Sequence, residues 1–184
     1  MLPQQRTKRR MGGRLIVLAI VLGLPACLVW REYQLHRLNH ALIAAIQRVD
    51  PKAVTSLLDQ GANANAQDRY EAFSAWKALL RLLTAQRPSG TGSGLSALWV
   101  DLETAYRDSR NEALYGRARQ ERLRTEESIA EALIAHGADP DPYARYSHVT
   151  TTLHAAVDLD WTHLAATLVS RGADVNAKDR GGIT

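Results

Sequence analysis

Three stretches of the chain share one spelling, and no other feature restricts its folding so tightly. They are Leu57-Leu-Asp-Gln-Gly-Ala-Asn-Ala-Asn-Ala66, Leu133-Ile-Ala-His-Gly-Ala-Asp-Pro-Asp-Pro142 and Leu168-Val-Ser-Arg-Gly-Ala-Asp-Val-Asn-Ala177. Each reads as an apolar pair, two further residues, Gly-Ala-Asn/Asp, one spacer and a second Asn/Asp. Glycine at the end of an apolar helical pattern closes the helix in the left-handed region, which it enters without a Cβ clash. Gly61, Gly137 and Gly172 are therefore expected to be helix C-caps, and the Asn and Asp behind them to fold the backbone into turns. Recurrence of such a unit predicts a stack of like pieces, each too thin to bury its apolar face alone.

The composition says what those pieces are made of. Hydrophobic residues are 46% of the 184, yet aromatics are only 6% and Phe occurs once, so the core must come from Ala, Leu, Ile and Val. That suits closely packed helices, and the expected class is all-α. Before Gly172 the pattern gives a short helix, Thr151-Thr-Leu-His-Ala-Ala156 with Val157, a polar turn Asp158-Leu-Asp160, and a second helix from Trp161 to Ser170. Before Gly61 the same order returns. An inner helix covers Ala41 to Ile46, a turn Val49-Asp-Pro51, an outer helix Lys52 to Gln60, and a finger Gly61 to Arg69.

The segment opening at Thr151 resembles the ankyrin repeat, whose signature is T-P-L-H-x-A and whose period is about 33 residues. Thr152 stands where the signature has Pro, and Thr184 follows Thr151 by 33 positions. The resemblance implies an α-solenoid of about three repeats, at about 40–72, 73–150 and 151–183. It also implies a hydrogen bond between Thr151 and His154 that ties the helix pair to its hairpin. The middle copy is interrupted: 76 residues separate Gly61 from Gly137, 43 more than one period. Phe73 to Ala85 reads as its inner helix and Ser128-Ile-Ala-Glu131 as a capping box opening its outer helix. An insertion is then expected over about 86–124, although a degenerate extra repeat is an alternative. The chain reaches Thr184 where Pro-Leu-His would come next, and the expectation is truncation or completion of the last repeat by a partner.

A different kind of segment precedes the repeats. Residues 1–14 carry Arg6, Lys8, Arg9, Arg10 and Arg14 and no acid, and Leu15 to Trp30 follow without a charge. Counted from Gly12 to Trp30, nineteen helical residues cover about 28 Å, roughly a hydrocarbon core. Trp30 stands at the interfacial position and Pro25 is tolerable in lipid. The expected organisation is a basic cytoplasmic arm (1–14), a transmembrane helix (15–30) and a domain (31–184) placed on the periplasmic or extracytoplasmic side by the positive-inside rule. A lipoprotein is an alternative, because Leu24-Pro25-Ala26-Cys27 resembles a lipobox in which Cys27 is acylated. A cleaved signal peptide is a weaker one, since no small-x-small site follows.

The +4 net charge does not point to nucleic acid. Without the five basic residues of the arm, 18 basic side chains face 19 acidic ones over residues 15–184. Arg117, Arg119, Arg122 and Arg124 alternate with Glu121, Glu126 and Glu127 and read as a solvated helix face. Chemistry is equally absent from the pattern. Gly90-Thr-Gly-Ser-Gly94 lacks the strand and the Lys of a phosphate loop and reads as a linker. His36 and His40 lack a third metal ligand, and no nucleophile, base and orienter come together. No catalytic residue, cofactor or metal is expected. What remains is surface for a protein partner: Asp68, Arg69 and Tyr70 on the first finger, Tyr143, Arg145 and Tyr146 on the second, and Lys178 and Arg180 on the third. The resemblance adds the concave face of the inner helices. Trp99, Leu102, Tyr106 and Tyr115 either cover the core or form a recognition arm. An enzyme built into 95–124 is the competing class, and it requires a pocket holding a strongly shifted acid or base.

Overall fold

The computed structural model of the chain describes residues 4–68, 74–75, 95–111, 116–141, 151–178 and 182, without the side chains of residues 4–22 and 24. Among them run six helices: α1 (Gln4–Gln47), α2 (Pro51–Asp59), α3 (Ala97–Ser109), α4 (Gly116–Ala135), α5 (Thr152–Asp158) and α6 (Thr162–Ser170). The described residues hold no strand, only an isolated antiparallel bridge between Gln67 and Ser96, so they are all-α, as the composition suits. It divides into two compact units, residues 1–36 with 71–90, and residues 37–70 with 91–184.

In the first unit the described part is α1 as far as His36, with Pro25 inside it, together with Ser74 and Ala75. Trp30 is exposed, and its ring centroid lies 5.9 Å from that of Tyr33. Among the described residues no helix is long and apolar enough to cross a membrane. Residues 15–30, where a span is expected, lie within α1, and the side chains of 15–22 and 24 are not described.

The second unit is a two-layered stack of helix pairs. In one layer α4 packs against both α2 and α6; in the other α3 packs against α5; across the layers α3 meets α4 and α5 meets α6. The end of α1 joins the same core through Leu42, Ile43, Ala45 and Ile46. Each outer helix ends identically. The N–H groups of Gly61, Gly137 and Gly172 donate to the carbonyls of Leu58, Ile134 and Val169, and those of Ala62, Ala138 and Ala173 to Leu57, Leu133 and Leu168. These paired bonds form the Schellman cap, which needs a left-handed residue. The three glycines have φ of 94°, 85° and 94°. The first Asx of each finger then accepts from the N–H two residues on: Asn63 from Asn65 at 2.9 Å, Asp139 from Asp141 at 3.0 Å, and Asp174 from Asn176 at 2.9 Å. Asn65 also reaches the next finger, donating to the Gly137 carbonyl at 2.9 Å and accepting from the Asp139 N–H at 2.7 Å.

Within the stretch 86–124, where an insertion is expected, the described residues hold α3 and the first part of α4. The inner helix of the middle pair among the described residues is α3. The first finger pairs directly with the start of that helix, Asp68 N–H donating to the Leu95 carbonyl at 2.7 Å and Ala97 N–H to the Ala66 carbonyl at 2.8 Å. Ser96 caps α3 by accepting from the Trp99 N–H, as Thr151 caps α5 by accepting from the His154 N–H. Ser96-Ala-Leu-Trp99 thus occupies the place of Thr151-Thr-Leu-His154. Nor does the outer helix open at Ser128: α4 is continuous from Gly116, and Ser128 Oγ turns back to the Thr125 carbonyl at 2.7 Å. The stretch Arg117 to Glu127 contains no Gly or Pro and is rich in Arg and Glu, so nothing interrupts helix propagation. The proposed inner helix at Phe73 to Ala85 lies outside the described residues, apart from Ser74 and Ala75.

Equivalent positions show what stacking does. Three residues before the finger glycine stand Leu58, Ile134 and Val169, and six after the inner-helix cap position stand Ile46, Leu102 and Val157. The members from the first two pairs are buried, whereas Val157 is 65% and Val169 45% exposed; Val175, matching buried Ala64, is 52% exposed. Leu58→Ala should therefore cost about 2–5 kcal/mol, and Val169→Ala no more than about 0.5 kcal/mol. Urea unfolding of both variants checks this: equal losses would mean the stack does not cover Leu58.

Candidate protein-binding groove

The finger-to-helix pairing of the first and second repeats leaves a groove of about 480 Å3, lined by Gln47, Asp68, Val100, Glu103, Thr104 and Arg107. Its wall is one face of α3, since residues at 100, 103, 104 and 107 follow helical spacing. The other wall is the last residue of α1 and the end of the first finger, both fixed by backbone bonds. Asp68 is held by its N–H on Leu95, and the turn after Gln47 is closed by Val49 N–H on the Ile46 carbonyl at 2.8 Å and Asp50 N–H on the Ala45 carbonyl at 3.1 Å. Thr104 spends its hydroxyl on the Val100 carbonyl at 2.8 Å. The groups offered to a ligand are thus two carboxylates, a guanidinium and an amide, with Val100 the one apolar side chain among them. Such a set recognises polar and charged side chains by complementarity, and it contains no nucleophile beside a base.

Of the finger residues singled out from the sequence, Asp68 lines this groove and Lys178 is exposed on the third finger. Arg69, Tyr70, Tyr143, Arg145, Tyr146 and Arg180 lie outside the described residues. Gln47, Val100, Glu103, Thr104 and Arg107 were not anticipated individually, although helical spacing of 100, 103, 104 and 107 was there to be read. The structural residues occupy local roles: Gly61, Gly137 and Gly172 close outer helices, and Thr151 Oγ1 lies 2.8 Å from His154 Nδ1.

The aromatic and apolar residues of the 95–124 stretch go to packing. Leu102 is buried, and Trp99 and Tyr106 lie half-buried against the core. Tyr106 reaches across to the third repeat and donates its hydroxyl to Asp158 Oδ2 at 2.6 Å. Burial and this acceptor hold the phenol above its ordinary pKa. Tyr115 lies outside the described residues. Strongly shifted acids are present as well: burial, then the charge of Glu126, raises Asp101 well above the carboxylate range, and burial, then Asp108, pushes Glu126 up to about 8. Neither lines the groove, and both are sealed from solvent. Among the described residues no group of three or more His, Cys, Asp or Glu side chains could hold a metal ion.

Residues 150–180 match the family model described as Ankyrin repeat. No curated protein matches the chain. The matched segment contains the Thr151 cap, α5, α6 and the third finger, the part of the fold in which helix lengths are least altered.

The Tyr106 bond is a side-chain tie from α3 to the third repeat that a small substitution removes cleanly. Tyr106→Phe should cost about 1 kcal/mol, because Asp158 is exposed and regains water. In a chain of this size that is a fall in Tm of about 2–4 °C. An unchanged Tm in differential scanning calorimetry would show that the bond contributes nothing.

Proposed function

We propose that this chain is a membrane-anchored ankyrin-repeat scaffold that holds a protein partner without catalysing a reaction. The ankyrin match at residues 150–180 carries the reading, because ankyrin repeats act by presenting side chains on a rigid frame. The groove at Gln47, Asp68, Val100, Glu103, Thr104 and Arg107 supplies the contact surface, and the finger tips extend it. Mixed charge at its edges favours a partner segment carrying both an acid and a base, and selects orientation more than affinity. The exposed Val157, Val169 and Val175 are, in this reading, the seat of a further helix pair stacked on the third repeat.

The anchor is taken from the sequence. The charge-free run of 15–30 behind five basic residues supports a single span with the arm in the cytoplasm and the repeats outside it. Tethering confines the scaffold and its partner to the bilayer surface, which raises their effective concentration. The lipoprotein alternative uses the same segment, with Cys27, exposed on α1, as the acylated residue.

Two experiments test the two halves of the proposal. Affinity capture from membranes with the full chain should lose at least tenfold of its bound protein on the paired reversal Glu103→Arg with Arg107→Glu, while Val169→Thr keeps it. Capture that is insensitive to the reversal refutes the groove. For the anchor, Leu18→Arg with Val21→Arg should shift the chain from the membrane pellet to the soluble fraction, since each charge costs about 2.5–3.5 kcal/mol at the centre of a span. Cys27→Ala should leave it in the pellet; release by that change alone would replace the span with a lipid anchor.

A further inference from the structure

Five residues after the cap position of each inner helix the chain has a buried side chain: Ala45 in the first repeat, Ala156 in the third and Asp101 in the second. A carboxyl thus stands where the stack elsewhere holds a methyl group. On the facing helix Glu126 is also fully buried; neither oxygen of Asp101 has a hydrogen-bond partner, and Glu126 meets the carboxyl of Asp108 in a side-chain hydrogen bond. Asp108, two turns along α3, is buried as well. The cation at hand is Arg122 of α4, whose Nε donates to Asp108 and lies 3.6 Å from Glu126 Oε1. Arg107 adds a weaker field on Glu126, and no charged group of α2, α5 or α6, the other helices packed on this pair, acts on it among the described residues. Asp108 and Glu126 therefore share Arg122, which is already engaged by Asp108, and Asp101 has only the charge of Glu126 acting on it.

A buried carboxylate without enough donors and cations around it is among the costliest arrangements in a protein interior. Burial therefore favours the protonated form of both, most strongly at Asp101, where no cation offsets it among the described residues. We propose that this pair makes the second repeat a proton-operated latch, in which α3 and α4 stay closed while both carboxyls are protonated and separate as they ionise. The closed form has a direct consequence for the surface, because α3 supplies Val100, Glu103, Thr104 and Arg107 to the groove and Tyr106 to the third repeat. Opening the latch dismantles all of these at once.

The direction of the effect follows from linkage. An acid whose folded pKa lies above its unfolded value binds protons more strongly when folded, so stability falls as pH rises between the two values. For Glu126 the fall runs from the ordinary value of 4.5 to about 8 and levels off above it; Asp101 acts in the same direction. Glu127 and Asp141 are also raised by burial and add to the slope of the native chain. The difference between native and substituted chains is therefore what reports on the pair.

The test is thermal unfolding of the full chain in detergent from pH 5 to pH 8.5, with hydrogen exchange followed separately in α3, α4 and α6. The native chain should lose roughly 10 °C in Tm across that range, and α3 and α4 should lose protection before α6. Asp101→Ala, which installs the residue of the other two repeats, and Glu126→Gln, which keeps the shape, should each raise Tm at pH 8.5 and at least halve the slope. A native Tm independent of pH, substituted chains that keep the native slope, or simultaneous loss of protection in all three helices would each overturn the latch.

Discussion

The repeats are held in line by a backbone device of two parts, a glycine that turns the outer helix off its axis and an Asx side chain that fixes where the chain goes next. At Gly61, Gly137 and Gly172 the left-handed residue satisfies two carbonyls of the last helical turn. Those carbonyls would otherwise be left without partners at the end of every outer helix. The Asx turn that follows aims the finger, and through Asn65 it also binds the neighbouring finger on both its donor and its acceptor side. Because the turn positions Asp68 against Leu95, the groove inherits its shape from this device. A residue with a Cβ at the glycine would have space around it but the wrong dihedral, so the constraint is conformational and not steric crowding.

This explains which parts of the fold could be read directly. The first and third repeats were legible because their signals are local: a glycine after an apolar helix, an Asx two places on, a Thr three before a His. The middle repeat was not, because its signal is displaced. Twelve residues after Gly172 stands Thr184, and the same count from Gly61 lands on Phe73, which makes Phe73 to Ala85 the natural choice for the inner helix. The residue that caps α3 is Ser96, and of the four letters Ser96-Ala-Leu-Trp99 only Leu98 matches its counterpart in the third repeat. Ser128 misled for a related reason. A Ser followed three places later by Glu131 favours a helix start only when the residues before it are not already helical, and those before it have no breaker.

The groove was harder still. Glu103 and Arg107, four apart on a helix, read as an ordinary solvated pair, and only the finger that folds beside them turns that face into one wall of a cleft. Gln47 gives no signal at all, since its place in the groove depends on where α1 ends. One buried acid, Glu126, reads as part of a solvated helix face for the same reason. Glu126 belongs to a run of alternating charges, and the periodicity of that run cannot tell which member turns inward when the helix is longer than expected.

Length is what sets the second repeat apart. Its helices α3 and α4 hold 13 and 20 residues, where the corresponding helices of the third hold 7 and 9. These two long helices pack against each other, and a pair of helices packed on each other needs an interior of its own. This one is built partly from Asp101, Asp108, Arg122 and Glu126 in place of an all-apolar seam. A polar seam is weaker than an apolar one and depends on its protonation, but it is also more specific, since only one register of the two helices brings Arg122 to Asp108. The first repeat needs no such provision, because its small apolar residues are covered by the second pair. The second repeat thus combines a stacked half, fixed by the glycine and Asx device, with a half whose closure rests on two protons. α3 belongs to both halves, and the face it turns toward Gln47 and Asp68 is therefore only as rigid as the seam behind it.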